Sequence, residues 1–171
     1  MADYEVRALE PCDFDTLMAL EQSLFGDKGE KTLGPFYVRL CCDFFKDTCF
    51  IAFADGEPAG YMLSFVRGRE AYCSTLAISP AHQRTRLVYR FVQVFVAAVA
   101  SRVDSVWFTV HESNADARAL HATLGARETG RREMYYGPGE PRILSRIDRA
   151  AFDRLCARMR RVGLLRPAAV A

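Results

Sequence analysis

The chain has 171 residues, 50% hydrophobic and 26% charged, a composition that fits one soluble domain with its own core. No apolar run reaches the roughly 18 residues of a membrane span. The start Met-Ala-Asp-Tyr-Glu lacks the pattern of a secretory leader, so a cytoplasmic protein with no membrane partner is expected. The net charge of +2 conceals a gradient: −7 over residues 1–60, +3 over 61–141 and +6 over 142–171. The dense basic stripe with interleaved aromatics that nucleic acid requires is missing, which argues against that partner.

In chain order, Tyr4 to Leu9 alternates and predicts a strand. Pro11 and Asp13 open a helix with Phe14, Leu17, Met18, Leu20 and Leu24 as its apolar face. Gly26 to Lys31 is polar and glycine-rich and reads as a mobile loop. A second helix is expected from about Pro35 to Phe45, with Phe36, Leu40, Phe44 and Phe45 apolar. Cys49–Ala54 and Ala59–Val66 read as strands joined by a hairpin at Asp55-Gly56-Glu57-Pro58. Ala71–Ile78 is the next strand, and a long apolar helix is expected from Gln83 to about Arg102. Asp104–Val110 is a strand, and Ser113-Asn114 cap a helix that Gly125 closes. Arg127–Tyr136 and Arg142–Ile147 read as strands around a Gly137-Pro138-Gly139 turn. A basic helix from Asp148 to Arg161 follows, with frayed residues from Pro167.

This order predicts an α+β fold: a mixed, mostly antiparallel sheet with one parallel pair and helices on both faces. The six cysteines, at 12, 41, 42, 49, 73 and 156, form no Cys-x-x-Cys pattern, so they read as free thiols in a reducing compartment. No metal site is expected.

The most informative stretch runs from Thr75 to Phe91: a short apolar strand, a break at Ser79-Pro80, a polar turn and the start of the long helix. The first amides of a helix lack internal partners and its dipole is positive there, so such a turn can hold an anion. Arg84 and Arg86 add positive charge. We read this turn as a cradle for the phosphates of a cofactor. The acidic front of the chain suits a cationic substrate.

Three segments support a family resemblance: Leu76-Ala77-Ile78-Ser79-Pro80-Ala81-His82-Gln83, Glu112 to Ala126, and Arg132-Glu133-Met134-Tyr135-Tyr136-Gly137. Together, and in this order, they resemble the GNAT superfamily of acetyl-CoA-dependent N-acetyltransferases. The last segment is similar to the branch that acetylates protein N-termini. The resemblance covers about residues 4–148. It implies one domain with the GNAT-like acyl-CoA N-acyltransferase fold, acetyl-CoA as acyl donor, and two parallel strands that splay apart around the pantetheine arm. Two departures stand out. Arg86 and Val88 occupy positions in the turn where the family prefers small residues, and His121 occupies a position usually held by Tyr.

The resemblance implies cofactor contacts from Leu76, Ala77 and Ile78 on the strand, from Gln83, Arg84, Thr85, Arg86, Leu87 and Val88 in the turn, and from Asn114 and His121. It places His121 as general acid toward the departing thiolate. Glu112 is the nearest carboxylate to the expected general base, where Thr109 stands in place of the branch's Glu; Glu70 and Glu21 are further carboxylates. Glu21, Phe25, Phe36, Tyr37 and Tyr135 are expected to line an acceptor pocket, with Tyr136 as a further aromatic wall.

The expected reaction is acetyl transfer to a primary amine by direct attack on the thioester. The acceptor is a small-molecule amine or a peptide N-terminus, with the weight toward the small molecule. Two alternatives stay open: a catalytically degenerate binding or regulatory module, and an acyltransferase fed by a carrier-protein-bound acyl group. A homodimer is also open.

Overall fold

The computed structural model describes residues 2–165; the expectation from Pro167 onward lies outside them. Seven strands and five helices follow in order: β1 (Tyr4–Ala8), α1 (Phe14–Leu24), α2 (Pro35–Asp43), β2 (Phe50–Ala54), β3 (Glu57–Arg67), β4 (Glu70–Ile78), α3 (Leu87–Val99), β5 (Ser105–His111), α4 (Ala115–Thr123), β6 (Arg127–Arg132), β7 (Arg142–Ile147) and α5 (Arg149–Arg161). The sheet has the order β1-β2-β3-β4-β5-β7-β6. β4 and β5 run parallel, whereas β1–β2, β2–β3, β5–β7 and β6–β7 are antiparallel. The expected mixed sheet with one parallel pair is therefore present. The chain divides into two compact units, Met1–Phe65 with Thr75–Ala98, and Val66–Ser74 with Val99–Ala171.

In the first unit, Asp55 (φ 50°) and Gly56 (φ 88°) form the two-residue turn between β2 and β3. Positive φ at both central residues matches the right-handed twist of the flanking strands, so the pair closes a tight hairpin. Asp13, 4% exposed, begins the α1 region by accepting from the Arg7 guanidinium at 2.7 and 2.8 Å and from the Glu10 N–H at 2.7 Å. The Arg7 bond holds this carboxyl below its usual pKa. The core gathers Leu9, Leu17, Leu20, Val38, Ile51, Tyr61 and Leu63 with Cys41, Cys42 and Cys49.

The buried face of α2 is not formed by its largest apolar residues. Val38, Cys41 and Cys42 are buried, while Phe36 is 93% and Phe44 77% exposed, with Leu40 also exposed. The small side chains let α2 lie close against α1, and the bulky ones, four residues apart, take the opposite face. Within the segment expected as a loop, Gly26–Lys28 forms a 3-10 turn closed by Gly29 at φ 74°.

Gly60 on β3 is a close-approach position. A Cβ built there would lie 2.6 Å from the Ala77 carbonyl oxygen and 3.2 Å from Ile78 Cα. Only glycine lets the main chain at the end of β4 come this near, and the Ser79 N–H donates to the Ala59 carbonyl alongside (2.9 Å).

In the second unit, the parallel ladder pairs Glu70–Cys73 with Ser105–Phe108. β5 continues to His111, paired with β7 as far as His111↔Arg142. α5 begins at Asp148, whose carboxylate accepts from the Ala151 N–H at 2.8 Å. It buries Ala151, Phe152, Leu155, Cys156 and Met159, one stripe at helical spacing. β6 ends at Arg132, not Tyr136: the chain turns at Glu133–Met134 and again through Gly137 (φ 125°) and Gly139 (φ 77°) before β7.

Candidate functional site

The turn from β4 to α3 lies within the first unit. It opens with a 3-10 turn, Pro80–His82, and α3 begins at Leu87. The helix therefore starts four residues later than its apolar pattern suggests, and residues 83–86 form the loop itself. Arg84 takes a left-handed conformation, φ 57°, which is uncommon for a residue with a Cβ. Arg86 does not.

Side chains, not glycines, hold this loop. Gln83 Nε2 donates to the Ile78 carbonyl at 3.0 Å and ties the loop to the end of β4. Thr85 Oγ1 donates to the His82 carbonyl at 2.6 Å and accepts from the Leu87 N–H at 3.2 Å, capping α3. The Tyr4 hydroxyl from β1 donates to Thr85 Oγ1 at 3.2 Å and shares a 3.1 Å hydrogen bond with His82 Nδ1. The Arg86 guanidinium sits 5.7 Å from the Tyr4 ring centroid and donates to the Ala2 carbonyl at 3.0 Å. The bulky Arg86 side chain is thus drawn onto Ala2 and Tyr4 at the start of the chain.

Leu87 and Phe91 are fully buried and anchor α3, while Val88 is only half-buried, so its volume does not press into the core. Ala77 is buried, and Leu76 and Ile78 are half-buried. Tyr4 and His82 are the loop's anchors that sequence reasoning missed. The only available signal was the alternation that turns Tyr4 inward from β1.

The second unit holds Asn114, His121 and Glu112. Asn114 Oδ1 accepts from the Ala117 N–H at 3.0 Å, so the helix-cap role is present. His121, on α4, stacks on Phe108 of β5 with ring centroids 4.3 Å apart and planes at 26°. Burial lowers its pKa from 6.5 to about 4. Its Nδ1 is buried without a hydrogen-bond partner among the described residues. The imidazole is therefore neutral at physiological pH and has an unused polar atom that a bound group could satisfy.

Glu112 is engaged elsewhere. Arg131 Nε donates to its Oε2 at 2.7 Å, and this bond lowers its pKa. A carboxylate so stabilised accepts a proton poorly, which counts against Glu112 as general base. A second cluster lies nearby in sequence register. The Tyr72 hydroxyl is 2.8 Å from Thr109 Oγ1 and 3.3 Å from the Tyr136 hydroxyl, and Tyr135 meets Tyr136 edge-on at 4.7 Å. Burial raises the Tyr72 pKa, keeping the phenol neutral. Tyr72 sits at the last but one rung of the parallel ladder, a position that strand alternation alone does not single out.

The expected acceptor residues diverge. Glu21 is 3% exposed; it accepts a short hydrogen bond from the Tyr61 hydroxyl and another from the Leu33 N–H at 2.8 Å. One carboxylate oxygen is therefore committed to the Leu33 amide of the 29–34 segment and the other to Tyr61 on β3, and burial with this contact raises the Tyr61 pKa. Phe25 packs on the core of the first unit, and Tyr37 meets Phe65 edge-on at 5.8 Å. Phe36 stands in solvent.

Among the described residues no group of three or more His, Cys, Asp or Glu could hold a metal ion, and no helix is long and apolar enough to cross a membrane. All six cysteines are free thiols, five of them buried.

A family model described as Acetyltransferase (GNAT) family matches residues 14–126. The [Ribosomal protein bS18]-alanine N-acetyltransferase of Salmonella typhimurium is 29% identical over 117 residues, covering 68% of this chain and 69% of that protein. Among solved structures, Arabidopsis thaliana Naa50 in complex with a bisubstrate analogue superposes with a TM-score of 0.73 at 12% identity, covering 85% of this chain and 98% of that one. The diaminobutyrate acetyltransferase EctA of Paenibacillus lautus, in complex with its diamine substrate and coenzyme A, superposes with a TM-score of 0.67 at 21% identity, covering 85% and 95%.

Proposed function

Because the chain belongs to the acetyltransferase (GNAT) family, an enzyme family that uses acetyl-CoA as donor, we propose that it transfers the acetyl group to the α-amino group of a peptide or protein. The observation that carries the reading is the side-chain-braced loop at residues 82–87, which ends in the first turn of α3. A diphosphate can be held there by main-chain donors and the helix dipole, with the Arg86 side chain drawn onto Ala2 and Tyr4.

In this reading the amine nitrogen attacks the thioester carbonyl carbon, the carbon–sulfur bond breaks to release coenzyme A as the thiolate, and the proton given up by the amine passes through solvent to that thiolate, leaving an N-acetyl amide and free coenzyme A. The main chain of Leu76, Ala77 and Ile78 lines the thioester arm, and residues 83–88 take the diphosphate. Asn114 adds a polar contact. His121, neutral at working pH, offers a hydrogen bond to the sulfur rather than acting as an imidazolium acid. The Tyr72–Thr109–Tyr136 cluster, not Glu112 or Glu21, is the polar group assigned to the amine.

The sequence reading leaned toward a small-molecule acceptor. The bS18-alanine N-acetyltransferase relative moves the preference to a peptide amine. The likeness to a diamine acetyltransferase keeps a small amine as the second reading.

The test has two stages. Acetyl-CoA at a large excess over its dissociation constant should raise the melting temperature by mass action. Coenzyme A release is then followed with peptides bearing different N-terminal residues and with a panel of small primary amines. Binding without turnover on any amine would leave a degenerate acetyl-CoA-binding module. Absence of binding would overturn the reading.

A further inference from the structure

Between the end of α4 and one side of α5 lies a cavity of about 620 Å³ that the acetyl-transfer reading does not use. Its apolar part comes from Leu124, Ala151 and Leu155, and its charged part from Arg154, Arg158 and Arg161. Gly125, at φ 94°, turns the chain away from α4 and brings its main chain alongside Ala151, whose Cβ lies 3.6 Å from where a Gly125 Cβ would sit. Among the described residues no carboxylate lines it. Arg158 Nη2 donates to the Thr123 carbonyl at 3.2 Å and stays attached to the end of α4. Arg154 and Arg161 have no ion pair among the described residues, and all three arginines are exposed.

We propose that this groove docks an acidic stretch of polypeptide carrying at least one apolar side chain. The charge spacing decides the kind of anion. Residues 154, 158 and 161 stand at i, i+4 and i+7 on α5, so the cations spread over roughly 10 Å along the helix axis. A single phosphate or carboxylate cannot meet all three, whereas carboxylates repeated along a chain can. The apolar floor accepts a leucine-like side chain between them. Nucleic acid fits less well, because no aromatic ring lines the groove to stack on a base. A membrane surface also fits less well: the apolar stripe of α5 is already buried and has nothing to insert. Arg158, Arg160 and Arg161 also favour the helix C-terminus, but Arg154 lies mid-helix, where the dipole gives it no such role.

The experiment uses the full chain and a fluorescein-labelled ten-residue peptide of alternating glutamate pairs and leucines, read by fluorescence anisotropy at low and physiological salt. Binding is expected, and it should weaken about tenfold with salt as exposed charges are screened. The double variant Arg154→Gln/Arg161→Gln, which spares the Arg158–Thr123 bond, should weaken it by about tenfold with an unchanged melting temperature. Control substitution by Gln of the 95% exposed Arg67, which is not among the groove's lining residues, should leave it unchanged. Coenzyme A release on the best amine substrate should stay at the unaltered rate in both variants. Absence of peptide binding, equal binding by the double variant, or equal competition by single-stranded oligothymidine would each overturn the proposal.

Discussion

Burial of His121 makes a quantitative prediction about stability against pH. Its pKa is 6.5 when free and about 4 in the folded chain, and burial is the cause. The folded value lies below the unfolded one. The associated stability is therefore complete above pH 6.5 and is lost as pH falls toward 4, because the unfolded chain takes up a proton that the folded chain refuses. Between about pH 7.5 and pH 5 the loss works out at about 2 kcal/mol, and the full shift is worth about 3 kcal/mol. Urea unfolding of the wild type and of His121→Phe across this range isolates the group, since all other titrations cancel in the difference. Phe retains the stack on Phe108 and has nothing to protonate. The wild type should lose about 2 kcal/mol more than the variant on going to pH 5. With three histidines in the chain, the His121 ring resonance can be assigned by substitution and titrated by NMR. Identical pH dependence in the two proteins, or a His121 midpoint near 6.5, would refute the reasoning.

Other predictions test the loop and the assignments around it. Tyr4→Phe removes the hydroxyl that bridges His82 and Thr85, a net loss of about 1 kcal/mol, so the acetyl-CoA dissociation constant measured by calorimetry should rise about fivefold with little change in kcat. Gly60→Ala places a methyl group 2.6 Å from the Ala77 carbonyl oxygen. It should destabilise the chain by about 1–3 kcal/mol, seen as a lower urea midpoint with an unchanged slope. Glu112→Gln should leave the acidic limb of the pH–rate profile in place, since Arg131 already holds this carboxylate ionised. Tyr72→Phe should lower kcat/KM for the amine about tenfold and leave acetyl-CoA binding intact, as measured by initial rates and thermal shift.

Local patterns in the sequence were enough to establish the order of the elements. Asp55-Gly56 determines its hairpin because both residues tolerate positive φ, and Asn114 and Asp148 start their helices because a side-chain oxygen can reach a free amide. These are interactions within a few residues, visible wherever the residues themselves are visible. The strand-turn-helix segment and its family resemblance were legible for the same reason. What remained illegible depended on partners far along the chain. The exposed Phe36 and Phe44 and the buried Cys41 and Cys42 follow from how closely α2 approaches α1, a distance no residue of α2 encodes alone. Glu21 looked available to a cationic substrate until Tyr61, forty residues away, claimed it. The loop at residues 82–87 lacks the expected glycine, and only the tertiary structure revealed the substitute: Tyr4, about eighty residues earlier in the chain, supplies by hydrogen bonding the support that backbone freedom supplies elsewhere.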